Sequence, residues 1–138
     1  MKKILIIIIL FSLVVGCSNK INSKSEGINN MKVIIDNKEY VLELEDNDTV
    51  KEFIKTVPKE YEMIELNDNE KYVNLDKSLP TNSIYPKTIN QGDVMLFGDD
   101  CLVIFYKSFE TTYSYTKIGH INNLPNLGNK NIKVKITK

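Results

Sequence analysis

Few residues in this chain have the types and spacing that chemistry requires. His120 is the single histidine among 138 residues, so His-based metal clusters and Ser-His-Asp or Cys-His nucleophilic sites lack support. It follows Gly119 at an expected strand end, where a solvent-facing or locally hydrogen-bonded imidazole is the ordinary outcome. The acidic pairs Asp99-Asp100 and Asp46/Asp48 read as turns and caps. The run Asn67-Asp68-Asn69-Glu70 offers oxygen ligands for weak Ca²⁺ binding, yet it lacks the glycine and the ligand periodicity of an EF-hand. No Gly-rich loop of the phosphate-cradling kind occurs. The expectation is a protein without metal or cofactor.

The two cysteines have different settings. Met1-Lys2-Lys3 is a short basic start, followed by an apolar run from Ile4 to Val15 broken only by Ser12. Roughly 20 apolar residues are needed to span a bilayer, whereas runs of about 10–14 suit the core of a signal peptide. The run ends in Leu13-Val14-Val15-Gly16-Cys17, which resembles the bacterial lipobox. That resemblance implies cleavage after Gly16 and diacylglycerol on the Cys17 thiol. The expected partner is therefore the membrane, through a lipid anchor on Cys17, and the expected location is extracytoplasmic. Cys101 remains as the lone thiol, so no intramolecular disulfide is possible. It precedes Leu102-Val103-Ile104-Phe105 and follows Asp99-Asp100, which reads as a small buried hydrophobe rather than an activated nucleophile.

One enrichment can serve binding. Five of the eleven aromatic residues beyond the leader are Phe105, Tyr106, Phe109, Tyr113 and Tyr115. Strand alternation turns Val103 and Phe105 to one face and Ile104 and Tyr106 to the other, and puts Tyr113 and Tyr115 on a shared face. The plainer reading is that one set fills the core and the other covers its outside. The alternative is a ligand-binding wall near a barrel mouth with phenols as polar handles, drawing also on Tyr72 and Tyr85 from the loops.

The elements that must position these residues are mostly strands. Residues 1–16 read as the leader, and 17–30 as the lipidated cysteine with a tether. Ser18 to Asn30 has only Ile21 and Ile28 as apolar members, too few to offset ordering entropy. Its thirteen residues reach roughly 20 Å as a flexible chain. Residues 31–138 read as one domain, a size that suits a single core. Met31–Ile35 and Tyr40–Leu44 predict a hairpin around Asp36-Asn37-Lys38. Val50, Phe53, Ile54 and Val57 form one helical stripe; Thr49 with Glu52 has capping-box spacing, Asp48 offers another cap, and Pro58 ends the helix. Tyr61–Leu66 predicts a strand, Asn67–Tyr72 is polar, and Leu75–Lys87 with Pro80 and Pro86 runs as a loop. Val94–Phe97 and Cys101–Tyr106 predict a second hairpin, and Tyr113–Ile118 and Ile132–Ile136 complete the set. Seven or eight strands with one helix predict a mainly β fold, a closed or nearly closed barrel.

Charge narrows the partners. Every basic residue is Lys, and eighteen of them balance eighteen acidic residues. Removing the leader leaves sixteen Lys, a mildly acidic protein without the concentrated positive charge that nucleic acid demands. Anchoring would rest on acyl chains, at about 0.8 kcal/mol per buried methylene.

From Glu70-Lys71-Tyr72 onward the chain resembles the bacterial cyclophilin-like families. The residues that carry the likeness are Leu79-Pro80-Thr81-Asn82, Gln91-Gly92-Asp93 with the strand after it, Cys101 to Phe109, and Tyr113 to Gly119. The resemblance covers roughly Met31 to Lys138 and implies an eight-stranded barrel capped by a helix. Prolyl isomerisation in true cyclophilins leans on an Arg that polarises the prolyl amide. This chain has no Arg and no Trp, and lacks the Phe-His-Arg motif. Lys does not reproduce the rigid guanidinium fork. Asn90-Gln91-Gly92-Asp93 echoes a cyclophilin Gln-Gly-Gly-Asp stretch but is also common turn chemistry. The leading expectation is a lipoprotein that binds a small molecule or peptide without catalysis, through Tyr72, Tyr85, Phe105, Phe109, Tyr113 and Tyr115. The alternative is a weak, divergent extracytoplasmic prolyl isomerase.

Overall fold

The structure, a computed structural model, describes residues 27–138. The leader, Cys17 and the tether up to residue 26 lie outside the described residues. Strands β1 (Asn30–Ile35) and β2 (Lys38–Leu44) meet at Asp36 and Asn37, both with positive φ. That is the backbone a two-residue hairpin needs, and Asx side chains tolerate it. Strands β3 (Lys59–Leu66), β4 (Glu70–Asn74), β6 (Asp93–Phe97), β7 (Cys101–Phe105), β9 (Thr116–Ile121) and β10 (Ile132–Thr137) complete a closed antiparallel barrel. Around its circumference the order is β1-β10-β3-β4-β7-β6-β9-β2. A two-stranded ribbon, β5 (Thr88–Ile89) with β8 (Phe109–Glu110), stands apart. The mainly β, eight-stranded barrel with one helix is thus the architecture expected from the sequence.

Period-two alternation builds the interior. Met31, Val33 and Ile35 on β1, and Ile132, Val134 and Ile136 on β10, point into one core with Leu42, Met63, Leu102 and Ile104. The helix α1 (Asp48–Ile54) adds Val50 and Phe53 to the same cluster. Its cap differs from the sequence expectation. Asn47, rather than Asp48 or Thr49, caps it: the side-chain oxygen accepts from Val50 N at 2.9 Å, and its amide donates to Lys117 O at 2.8 Å. Thr49 is buried and donates to Pro80 O at 2.6 Å, so its hydroxyl fixes the 75–87 loop instead.

Two strand expectations are also corrected. The polar run Asn67–Tyr72 turns at Asn67 and Asp68, both with positive φ, and enters β4 at Glu70. Lys71 hid that strand, because it is a charged residue at an inward position. It is fully buried, ion-paired with Glu65, donates to Gly128 O at 2.5 Å and Lys130 O at 2.7 Å, and lies 4.6 Å from the Tyr106 ring centroid. Tyr106 donates to Glu65 Oε2 at 2.8 Å. The ammonium's three donors are therefore satisfied, which is the condition for burying it, and the 122–131 segment is tied to the barrel.

The strand expected over Tyr113–Ile118 begins instead at Thr116 and runs to Ile121. Gly119 is an interior strand residue, not an end. A Cβ there would stand 2.1 Å from Glu43 O, so glycine permits the close approach of β9 and β2. Tyr113 and Ser114 precede the strand, and Tyr115 forms a lone bridge with Ile84.

The wall made by β4, β7 and β6 is covered on both faces. Leu102 and Ile104 pack inward, while Val103 and Phe105 join Met95, Ile89 and Tyr115 in a second, outer cluster. This explains why β7 reads as an uninterrupted apolar run.

Candidate functional site

The outer cluster does not fill its side of the wall. Beside it lies a cavity of about 440 Å³. Glu70 and Tyr72 reach it from β4, Cys101 and Val103 from β7, and Phe97 from the end of β6. The end of β3 supplies Leu66 and the β3–β4 turn Asn67 and Asn69, and the segment from Phe109 to Tyr115 closes the other side. The size is that of a small-molecule site.

Hydrogen bonds fix the covering segment. Thr111 N donates to Lys87 O at 2.9 Å, Tyr113 N donates to Thr111 Oγ1 at 3.1 Å, and Tyr115 and Ile84 exchange backbone bonds at 3.0 and 2.9 Å. The aromatic rings then lock edge to face. Phe105 meets Tyr115 at 5.5 Å and 90°, and Phe97 meets Tyr113 at 5.8 Å and 85°. Such geometry suits the ring quadrupoles. Tyr115 is buried at the junction, whereas Tyr113 is 61% exposed at the rim.

Of the six residues singled out from the sequence, the structure brings Tyr72, Phe109, Tyr113 and Tyr115 to this cavity. Phe105 faces the same side but is fully buried behind Phe109 and Tyr115, so it supports the wall without lining it. Tyr85 lies in the 75–87 loop, exposed and away from the cavity. The site is on the outer wall, not at a barrel mouth, because the parity of β7 sends Val103 and Phe105 outward. Phe97, Glu70 and Asn69 also line it, beyond the residues that the sequence singles out for binding. Phe97 shares strand parity with Met95, a signal that becomes informative only once the outer face is known to be covered.

Burial sets the electrostatics of the lining. Burial, and then repulsion from Glu65, pushes the Glu70 carboxyl above the ordinary range. Burial, helped by Asp100 and Glu70, pushes the Cys101 thiol up, and burial does the same to the Tyr115 phenol. The thiol and phenol therefore stay neutral at pH 7, and neither is an activated nucleophile. His120 lies elsewhere, with Nδ1 3.0 Å from Asp93 Oδ1. Asp93 also accepts from Asn90 N at 2.8 Å, so the pair organises the turn at Gly92. Within the Asn67–Glu70 run, Asn67 and Asp68 form the hairpin turn, and Asp68 pairs with Lys107 at 2.7 Å. Among the described residues no group of three or more His, Cys, Asp or Glu side chains is placed to hold a metal.

Among curated proteins, no sequence matches this chain. The family model described as the cyclophilin-like family matches residues 33–137, from within β1 to the end of β10. An eight-stranded antiparallel barrel with a single helix, matched over nearly all of its length, makes the chain a member of the cyclophilin-like family.

Proposed function

We propose that this protein is an extracytoplasmic lipoprotein, held to a bacterial membrane through Cys17, whose barrel binds a ligand on its outer wall without transforming it. The cavity between β4, β7 and the Phe109–Tyr115 segment carries the reading: it is lined by Tyr72, Phe97, Phe109, Tyr113 and Tyr115, and burial keeps its Cys101 thiol and Tyr115 phenol neutral. Aromatic walls provide large contact area at little entropic cost, and Tyr72 and Tyr113 add hydroxyls that can orient a guest. The lipobox-like Leu13–Cys17 segment supports the anchor.

Native mass spectrometry of the full chain, purified gently from its host membranes, tests the binding. A reproducible extra mass that disappears on denaturation is the expected result. A bare protein mass under the same conditions contradicts it. The chain's lack of Arg leaves no guanidinium to polarise a prolyl amide. Acceleration of a protease-coupled prolyl-peptide assay above the uncatalysed rate would nevertheless replace binding by isomerisation.

A further inference from the structure

The cavity has a charge character that its aromatic lining conceals. Two carboxylates, Glu70 and Glu110, line it, and no Lys among the described residues does. Two Lys that flank the lining are engaged elsewhere: Lys71 points into the barrel to Glu65, and Lys107 pairs with Asp68. Glu70 is partly buried, and among the described residues it makes no ion pair and no side-chain hydrogen bond. Asn69, on the same lining, has a buried side-chain oxygen without a partner among the described residues. A half-buried carboxylate and an orphaned acceptor are costly unless something donates to them. The rings of Tyr72, Phe97, Tyr113 and Tyr115 line the same space, and aromatic rings attract cations.

We infer that the cavity takes a small organic monocation, a protonated amine carried on an apolar or aromatic body. This rests on the binding reading above and specifies its ligand. Glu70 supplies the counter-charge and accepts from the ammonium, and the aromatic residues enclose the body. An anionic guest meets two carboxylates and no cation, and a neutral guest leaves Glu70 unpaired.

The test is calorimetric titration of the full chain in mild detergent at pH 7, with blank-micelle subtraction. Three probes of similar size are used: phenethylammonium, 2-phenylethanol and 3-phenylpropanoate. The cation is expected to bind at least about tenfold more tightly than the alcohol, with the anion weakest. Glu70→Gln is expected to bring the cation down to the alcohol's affinity while leaving the alcohol unchanged. The wild-type protein gives an independent readout, since its preference for the cation should fade as pH drops and Glu70 protonates. Equal affinity for cation and alcohol, or tightest binding of the anion, overturns the charge preference but leaves the pocket standing. Failure of all three probes overturns the pocket itself.

Discussion

Tyr113, in the segment before β9, stands edge-on to Phe97 at the end of β6, with ring centroids 5.8 Å apart and planes at 85°. The pair joins a loop to the barrel wall across one side of the cavity, and both rings are substantially exposed. Exposed rings contribute little to the core, so Tyr113→Ala should lower stability by less than about 1 kcal/mol. Its effect should fall on binding. The neighbouring Tyr115→Ala removes a buried ring packed on Phe105 and should cost about 3 kcal/mol. Urea unfolding of the two single variants checks the contrast.

Lys71 holds the barrel's polar interior together. Lys71→Met keeps much of the volume but leaves two backbone carbonyls without their donor and Glu65 without its counter-ion, held only by the Tyr106 hydroxyl. Removing one member of a buried pair costs about 3–5 kcal/mol. Adding Glu65→Gln should recover part of that loss, because the uncompensated carboxylate goes with it. Denaturant midpoints of the single and double variants measure the recovery.

Glu70 should make stability depend on pH in an identifiable direction. The fold raises its carboxyl above the ordinary value of 4.5, so the folded state binds the proton more tightly than the unfolded chain does. Stability then falls as pH rises through the window between the unfolded and folded values, and the penalty is fully present above it. Glu70→Gln should raise the melting temperature at pH 7, and the gain should vanish below pH 4.5. A gain that persists in acid would show that desolvated charge is not its source.

Cys101 reports on the cavity it lines. Burial and the nearby Asp100 and Glu70 keep it as a thiol, so alkylation by iodoacetamide at pH 8 should be slower than for a free cysteine. Saturating phenethylammonium should slow it further by occlusion. Mass spectrometry of the Cys101 peptide over time gives both rates, and a rate at or above that of a free cysteine would contradict the partly buried setting.

Much of this fold was legible because local pattern and long-range packing agree. Asp36-Asn37 marks a hairpin by its own backbone preference, the Val50–Val57 stripe marks a helix, and Ile132-Val134-Ile136 marks an inward face. Legibility failed where burial contradicts residue type. Lys71 breaks the apolar alternation of β4 although it lies inside the barrel, and Gly119 looks like a terminus although it permits two backbones to touch. The cavity was half legible. The density of rings from Phe105 to Tyr115 pointed to it, but the face they occupy depends on a ribbon of two residues per strand, too short for any periodicity. Without that covering, nothing separates Phe97, which lines the cavity, from Tyr85, which does not.

The binding claim meets its most direct test in native mass spectrometry of three full-length proteins purified in parallel: wild type, Tyr113→Ala and Tyr85→Ala. Tyr85 is exposed outside the cavity and serves as the control. The outer-wall site requires a non-covalent extra mass on the wild type and on Tyr85→Ala, and its loss from Tyr113→Ala. A bare mass for all three, or an extra mass retained by Tyr113→Ala, would contradict it.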